Sequence, residues 1–140
     1  MNSTLAVFFV NILAVTVLVG CPDFPHISID YSSLGQTRLD SELMTHWQTG
    51  TEPLRRDVQK IVDSYNVQGD RVSVETLEAM GAHCLSVSQN RYQYTGIIRY
   101  RLFGLPDASK DGKLTTIIYH IDIQRQMRAA NVTVERKEIE

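Results

Sequence analysis

Two segments in the first half of the chain carry apolar residues at helical spacing. The first predicts a helix with one apolar stripe that Gly50 ends, and the stripe consists of Leu39, Leu43, Met44 and Trp47. The second predicts a longer helix that Thr51 caps and that Asn66 and Gly69 end. Its apolar face consists of Leu54, Val58, Ile61, Val62 and Tyr65. Both helices should therefore bury one face and leave the other in solvent.

In the second half of the chain the pattern changes from helical spacing to alternation. Residues 70–82 mix the two patterns, and we interpret them as a short helix or an irregular segment, with Ser73 as the cap and Gly81 as the stop. From His83 onward apolar residues alternate with polar ones. The apolar set includes Leu85, Val87, Tyr92, Tyr94, Ile98, Tyr100, Leu102, Ile117, Tyr119, Ile121, Ile123, Val132 and Val134. This alternation predicts an antiparallel meander with one buried face and one largely wet face.

The predicted elements define an α+β fold, with N-terminal helices packed on a curved antiparallel sheet of about four strands. We expect a signal peptide at 1–20, an extended N-terminal arm at 21–37 and a single α+β domain at 38–140. Within the arm, the alternation from Ile27 to Tyr31 favours a short edge strand.

The order of the predicted elements resembles the cystatin-like and nuclear-transport-factor-2-like architectures. In those architectures a long helix packs into the concave side of an antiparallel sheet. The sequence has no cystatin Gln-x-Val-x-Gly loop, and Thr95-Gly96-Ile97 does not replace one. The resemblance therefore implies a fold, and it does not carry an activity with it.

The N-terminal segment predicts export. Leu5 to Val19 is apolar or small except for Asn11 and Thr16, which is too short for the ~20 apolar residues of a membrane-spanning helix. Small residues before Cys21 suit a signal peptidase, so we expect a secreted, extracellular product with no stable transmembrane segment after cleavage. The segment has no Lys or Arg, although signal peptides usually begin with one. Leu-Val-Gly-Cys also resembles the lipobox of bacterial lipoproteins, which implies a lipid on Cys21.

Charge and cysteine content narrow the choice of partners and compartments. The chain has 14 basic and 16 acidic residues in mixed order, which does not favour nucleic acid as a partner. Cys21 and Cys84 are its two cysteines, and in an oxidising compartment they would form a disulfide. The alternative is a buried, unpaired Cys84 on a strand.

Asn131-Val132-Thr133 is an N-glycosylation sequon, so a eukaryotic host would glycosylate Asn131 or leave it as an unmodified strand residue.

Few residues suggest catalysis or metal binding. His120 and Asp122 share a face of a predicted strand, so they are weak candidates for an acid–base pair or for two metal ligands. A half-exposed polar sheet face explains them equally well. His83 and Cys84 are adjacent in a strand and therefore point to opposite faces, which prevents a nucleophile–base pair.

Two further patterns have plain structural explanations. The stretch from Asp107 to Gly112 is similar to the start of a calcium loop, but Ile118 stands where the EF-hand pattern needs Glu, so a hairpin connection is favoured. The tyrosines at 92, 94 and 100 suit either a pocket for a small amphipathic ligand or the core beneath the helices.

No catalytic or cofactor motif stands out, and we expect no cofactor and no resident metal. The leading hypothesis is a small secreted, non-enzymatic domain that binds an extracellular protein or a small amphipathic ligand. One alternative is a small pocket enzyme of the nuclear-transport-factor-2-like type. The other is a membrane-tethered lipoprotein lipidated at Cys21.

Overall fold

The computed structural model describes residues 26–66, 71–104 and 112–140. The predicted signal peptide, Cys21, Gly69 and most of the calcium-like stretch lie outside these ranges. The elements are β1 (His26–Asp30), α1 (Arg38–His46), α2 (Thr51–Ser64), α3 (Val74–Ala79), β2 (His83–Ser86), β3 (Arg91–Phe103), β4 (Lys113–Arg125) and β5 (Ala130–Ile139). None of these helices combines the length and the apolar character that crossing a bilayer requires.

The described residues confirm the α+β class, with three helices packed on an open antiparallel sheet of five strands. The sheet has five described strands where about four were expected, because β1 and β2 both join it. The expectation that the helices precede the sheet also needs correction, since β1 comes before them in the chain and pairs with β3. β1 is therefore part of the sheet, and the helices form an insertion between it and the other strands.

The core lies between the helices and one face of the sheet. Alternation predicted this face correctly, because the inward side chains of β3 and β4 are buried while their neighbours point outward. The fully buried residues of the core, from both the helices and the sheet, include Leu39, Leu43, Leu54, Val58, Val62, Leu77, Ile98, Ile117, Tyr119, Ile121 and Ile123. Each large apolar side chain buried in this way stabilises the fold by about 1.5–3 kcal/mol relative to full exposure.

The helix starts follow local capping chemistry, with one correction. Thr37 caps α1 and Ser73 caps α3, each by accepting a hydrogen bond from the backbone N–H three residues later. Thr51, predicted to cap α2, is instead its first helical residue, and Gly50 is the N-cap without a side-chain hydrogen bond. Gly50 adopts φ +101°, a conformation that a β-branched threonine rarely tolerates, so the chain reverses at the glycine.

Candidate functional site

The edge of β3 opposite β4 is only partly covered by other strands. β2 pairs with β3 as far as Gln93, and β1 pairs with it from Arg99 onward. Within the described part of the chain, no strand pairs with residues 94–98 on this edge. Ser33 Oγ donates to the carbonyl oxygen of Ile97 and covers one end of the gap. Since alternate residues direct their backbone groups to the same edge, the N–H and C=O of Thr95 also face the gap.

A cavity of about 410 Å³ lies at the open end of this gap. It is bounded by the start of α1, the end of α3, β2 and the middle of β3. Its lining residues are Thr37, Asp40, Glu78, Gly81, His83, Cys84, Leu85, Gln93, Tyr94 and Thr95. The volume falls in the range of ordinary small-molecule sites.

Asp40 is a nearly buried carboxylate in the lining of this cavity, and only 5% of the residue is exposed. Tyr94 Oη donates a 2.6 Å hydrogen bond to Asp40 Oδ1. Asp40 Oδ2 accepts from the backbone N–H of Thr37 at 2.9 Å and from Thr37 Oγ1 at 2.6 Å. Thr37 and Asp40 thereby form a reciprocal capping box at the start of α1. The carboxylate is held in place by these hydrogen bonds and has little freedom to turn.

The surroundings of Asp40 and Tyr94 favour the ionised form of Asp40. Burial, the largest single influence, raises the pKa of Asp40, but hydrogen bonds from Thr37, Tyr94 and the Gly35 backbone outweigh it. The net result is a pKa below the ordinary value of 3.8. Burial, together with the hydrogen bond to Asp40 and its charge, raises the pKa of Tyr94. At neutral pH Tyr94 is therefore a protonated donor and Asp40 a charged acceptor.

The end of α3 forms another wall of the cavity because Gly81 allows a tight turn there. Gly81 has φ +102°, and the N–H of Ala82 donates to the carbonyl of Leu77, as at many glycine-terminated helices. A Cβ at position 81 would lie 2.6 Å from Thr37 Oγ1, which is too close. Glycine therefore lets the C-terminus of α3 pack directly against the N-cap of α1.

The lining of the cavity is acidic and partly apolar. Asp40 and Glu78 are its acidic lining residues, and neither Lys nor Arg is among the lining residues. Leu85 adds an apolar side chain that is 51% exposed. A cavity of one sign of charge with apolar walls attracts ligands of the opposite charge. This arrangement suits a small cation that carries an apolar group.

His83 and Cys84 lie on β2 and both are exposed. The alternative expectation of a buried Cys84 was wrong, because β2 is a short strand at the sheet margin and most of its residues are exposed. Cys84 is a free thiol. Its predicted disulfide partner, Cys21, lies outside the described residues.

Among the described residues, Glu42, His46 and Asp57 form a group with metal-ligand spacing.

His120 and Asp122 lie on the outer face of β4, away from the helices, as neighbours on one face. His120 Nδ1 is 3.0 Å from Thr95 Oγ1, and Asp122 accepts a 2.9 Å hydrogen bond from Gln93 Nε2. Each is therefore bonded to a cross-strand neighbour on β3 that lines the cavity. Asn131, the sequon residue, is exposed on the same outer face, opposite Gln124 on β4.

The tyrosine row is mainly part of the core. Tyr92 and Tyr94 are 5% and 4% exposed, and the ring of Tyr100 lies 5.7 Å from that of Trp47. Tyr119, in the same layer, donates a hydrogen bond to the Trp47 carbonyl. Of the predicted row, only Tyr94 also lines the cavity.

Asp40, Thr37 and Glu78 were not singled out by the sequence analysis. The segment Thr37-Arg38-Leu39-Asp40 does carry the capping-box spacing, which would have marked the start of α1. The contact of Asp40 with Tyr94 spans 54 positions and has no local signal.

Comparisons with known proteins supply no family for this chain. No protein-family model, no curated protein and no solved structure matches it. The function is therefore argued from the geometry and charge of the cavity and its surroundings.

Proposed function

We propose that this chain is a small secreted, non-enzymatic binding domain and that the cavity beside β3 holds its ligand. The observation that carries the proposal is the acidic lining of the cavity, to which Asp40 and Glu78 both belong and which contains neither Lys nor Arg. The sequence suggested either an extracellular protein or a small amphipathic molecule as the ligand, and an acidic cavity of this size favours the small molecule.

The lining also specifies what such a ligand would carry. An ammonium group would be attracted by the two carboxylates, and an apolar body would contact Leu85 and Tyr94. The backbone of Thr95 supplies an N–H and a C=O at the unpaired edge of β3, which suit a polar group on the ligand. We therefore infer an amphipathic organic amine as the ligand class.

A pocket enzyme of the nuclear-transport-factor-2-like type is the alternative. It calls for a pocket between helix and sheet, with His120, Asp122 or tyrosines at its mouth. His120 and Asp122 lie on the outer face, and Asp40 is bound by hydrogen bonds that favour its ionised form, whereas a general acid needs a raised pKa. These observations support binding over catalysis. We propose the cystatin-like or nuclear-transport-factor-2-like arrangement as the finer description of the fold, since the long helix α2 packs on the sheet at β5.

Amide NMR titrations with three ligands of similar shape test the binding proposal. Tyramine is cationic, tyrosol is neutral and 4-hydroxyphenylacetate is anionic. We expect saturable shifts at Gly81, His83 and Thr95 with tyramine, and binding at least about fivefold weaker with tyrosol, because the ligand then lacks the charge attraction. The anion should bind most weakly. Equal affinity for the three, or shifts elsewhere only, would overturn the assignment of the cavity.

A matched pair of variants locates the binding. Leu85→Arg places a positive charge at the cavity wall, and Val87→Arg places the same charge two residues away, on a side chain that is 82% exposed. Leu85→Arg should weaken tyramine binding strongly, while Val87→Arg should change it little. Equal losses in the two variants would mean that a general charge effect, and not the cavity, governs binding.

Secretion, the disulfide between Cys21 and Cys84 and the glycan on Asn131 belong to the same proposal, and one measurement tests them directly. The intact mass of the exported protein, before and after reduction, should correspond to a chain that starts at Cys21. A glycan mass would be assigned to Asn131. A diacylglycerol-sized increment on Cys21 would replace the secreted domain with a membrane-tethered lipoprotein.

A further inference from the structure

The contact between α1 and α2 brings three potential metal ligands together. His46 Nε2 lies 2.8 Å from Asp57 Oδ2 and 3.9 Å from Glu42 Oε2. The three ligand atoms lie within 4.8 Å of one another. Glu42 and His46 are one helical turn apart on α1, and Asp57 faces them from α2. The group therefore depends on the packing of the two helices.

Each of these side chains is also held on its other side. The second oxygen of Glu42 lies 3.1 Å from Arg38, and the second oxygen of Asp57 lies 3.4 Å from Lys60. His46 Nδ1 faces Thr49 Oγ1 at 3.4 Å, and that hydroxyl donates to the His46 carbonyl, which leaves its lone pairs free to accept from Nδ1–H. Outer partners of this kind orient metal ligands, and a hydrogen bond from Nδ1–H to Thr49 belongs to the histidine tautomer that binds a metal through Nε2.

We propose that Glu42, His46 and Asp57 bind a divalent transition-metal ion, of which Zn²⁺ is the best match, and that the ion links α1 to α2. One imidazole and two carboxylates form a ligand set that zinc accepts, and a tetrahedral site with bonds of about 2.1 Å separates its ligand atoms by roughly 3.4 Å. The separations of 2.8 and 3.9 Å lie on either side of that value. Small rotations of these side chains complete the geometry.

The surroundings leave room for the ion and for a fourth ligand. A hollow of about 220 Å³ lies beside the group, and its lining residues are Arg38, Glu42, Asp57, Lys60 and Ile61. With the ion bound, Nε2 would be its ligand and Nδ1 would carry the proton that faces Thr49 Oγ1. Arg38 and Lys60 have side chains that are 59% and 71% exposed, so both can move into solvent at little cost when the ion brings its own charge. Water from the hollow would complete the coordination.

Calorimetric titration of the metal-free protein with ZnCl₂ tests this site, together with the ¹⁵N chemical shifts of the histidine rings. We expect one Zn²⁺ per chain, a shift of His46 Nε2, and a higher melting temperature with zinc, since an ion that binds only the folded state stabilises it. His46→Ala should weaken binding by more than about tenfold, and Glu42→Gln should weaken it in the same direction. Both variants are first checked for cooperative melting without metal, and Glu42→Gln keeps the test valid if His46→Ala does not fold.

Three control variants distinguish this site from nonspecific zinc binding at other surface residues. His83→Ala and His120→Ala remove histidines elsewhere on the surface, and Cys84→Ser removes the exposed thiol. All three should bind zinc as the unmodified chain does. Binding that survives in both His46→Ala and Glu42→Gln, or that disappears in Cys84→Ser, would overturn the proposal. So would the absence of any zinc-dependent shift at His46.

Discussion

Tyr94 on β3 donates a 2.6 Å hydrogen bond to Asp40 in the first turn of α1, across 54 positions of the sequence. This bond joins the capping box of α1 to the centre of the sheet. It also fixes the orientation of the carboxylate that lines the cavity. One pair of residues therefore contributes both to stability and to the proposed ligand site.

Replacing Tyr94 by Phe should destabilise the fold by about 1.5–3 kcal/mol, since it removes a hydrogen bond to a charged group that stays buried. Urea unfolding followed by circular dichroism measures this loss. Tyr65→Phe is the matched control, because Tyr65 is 52% exposed, and we expect it to change the unfolding free energy by less than about 0.5 kcal/mol. Similar effects in the two variants would show that the Tyr94 hydroxyl contributes no special stability.

Stability should fall in acid partly through Asp40. Its pKa in the folded state lies below the ordinary value of 3.8, so its contribution is fully present above that value and is lost as the pH falls through the folded-state pKa. Asp40→Asn should therefore be less stable than the unmodified chain at pH 7, with a difference that narrows below about pH 4. Unfolding free energies measured at a series of pH values test this. Glu78→Gln is the exposed control, and a difference for Asp40→Asn that stays constant with pH would contradict the prediction.

Gly96 should resist even the smallest substitution. It is buried under α1, and an added Cβ would lie 2.7 Å from Tyr94 Oη and also overlap the Leu43 side chain. Gly96→Ala should destabilise the fold by about 1–3 kcal/mol, because α1 must move away from β3 or Tyr94 must rotate. Thermal melting compares it with Thr95→Ala, an exposed neighbour that should melt nearly normally. An unchanged melting temperature for Gly96→Ala would mean that α1 packs less closely than the structure has it.

His120→Ala and Asp122→Asn should leave both stability and tyramine binding nearly unchanged. Both side chains lie on the outer face and bond to polar neighbours, so each substitution should cost about 0.5 kcal/mol or less. Melting curves and the same amide titrations measure the two effects. A variant that melts normally and yet loses binding would show that the outer face takes part in the function.

The local pattern of the sequence was sufficient for most of the fold. Helical spacing located α1 and α2, and alternation identified the buried and outward faces of β3 and β4, because these periods reflect which side of an element meets the core. The local sequence was misleading at the start of α2, where Thr51 was predicted to be the cap and Gly50 is the cap instead. There the preference of threonine for the cap position was overridden by the positive φ that only Gly50 accepts readily.

Tertiary packing alone decided both candidate sites. β1 and β2 share one edge of β3, and the gap between them exists only because neither strand is long enough to fill it. Asp40 meets Tyr94, and His46 meets Asp57, through contacts between elements that no short-range period encodes. The sequence thus determined which faces are buried, since burial follows from local periodicity. The three-dimensional fold determined which polar groups face one another, since that depends on how separate elements pack.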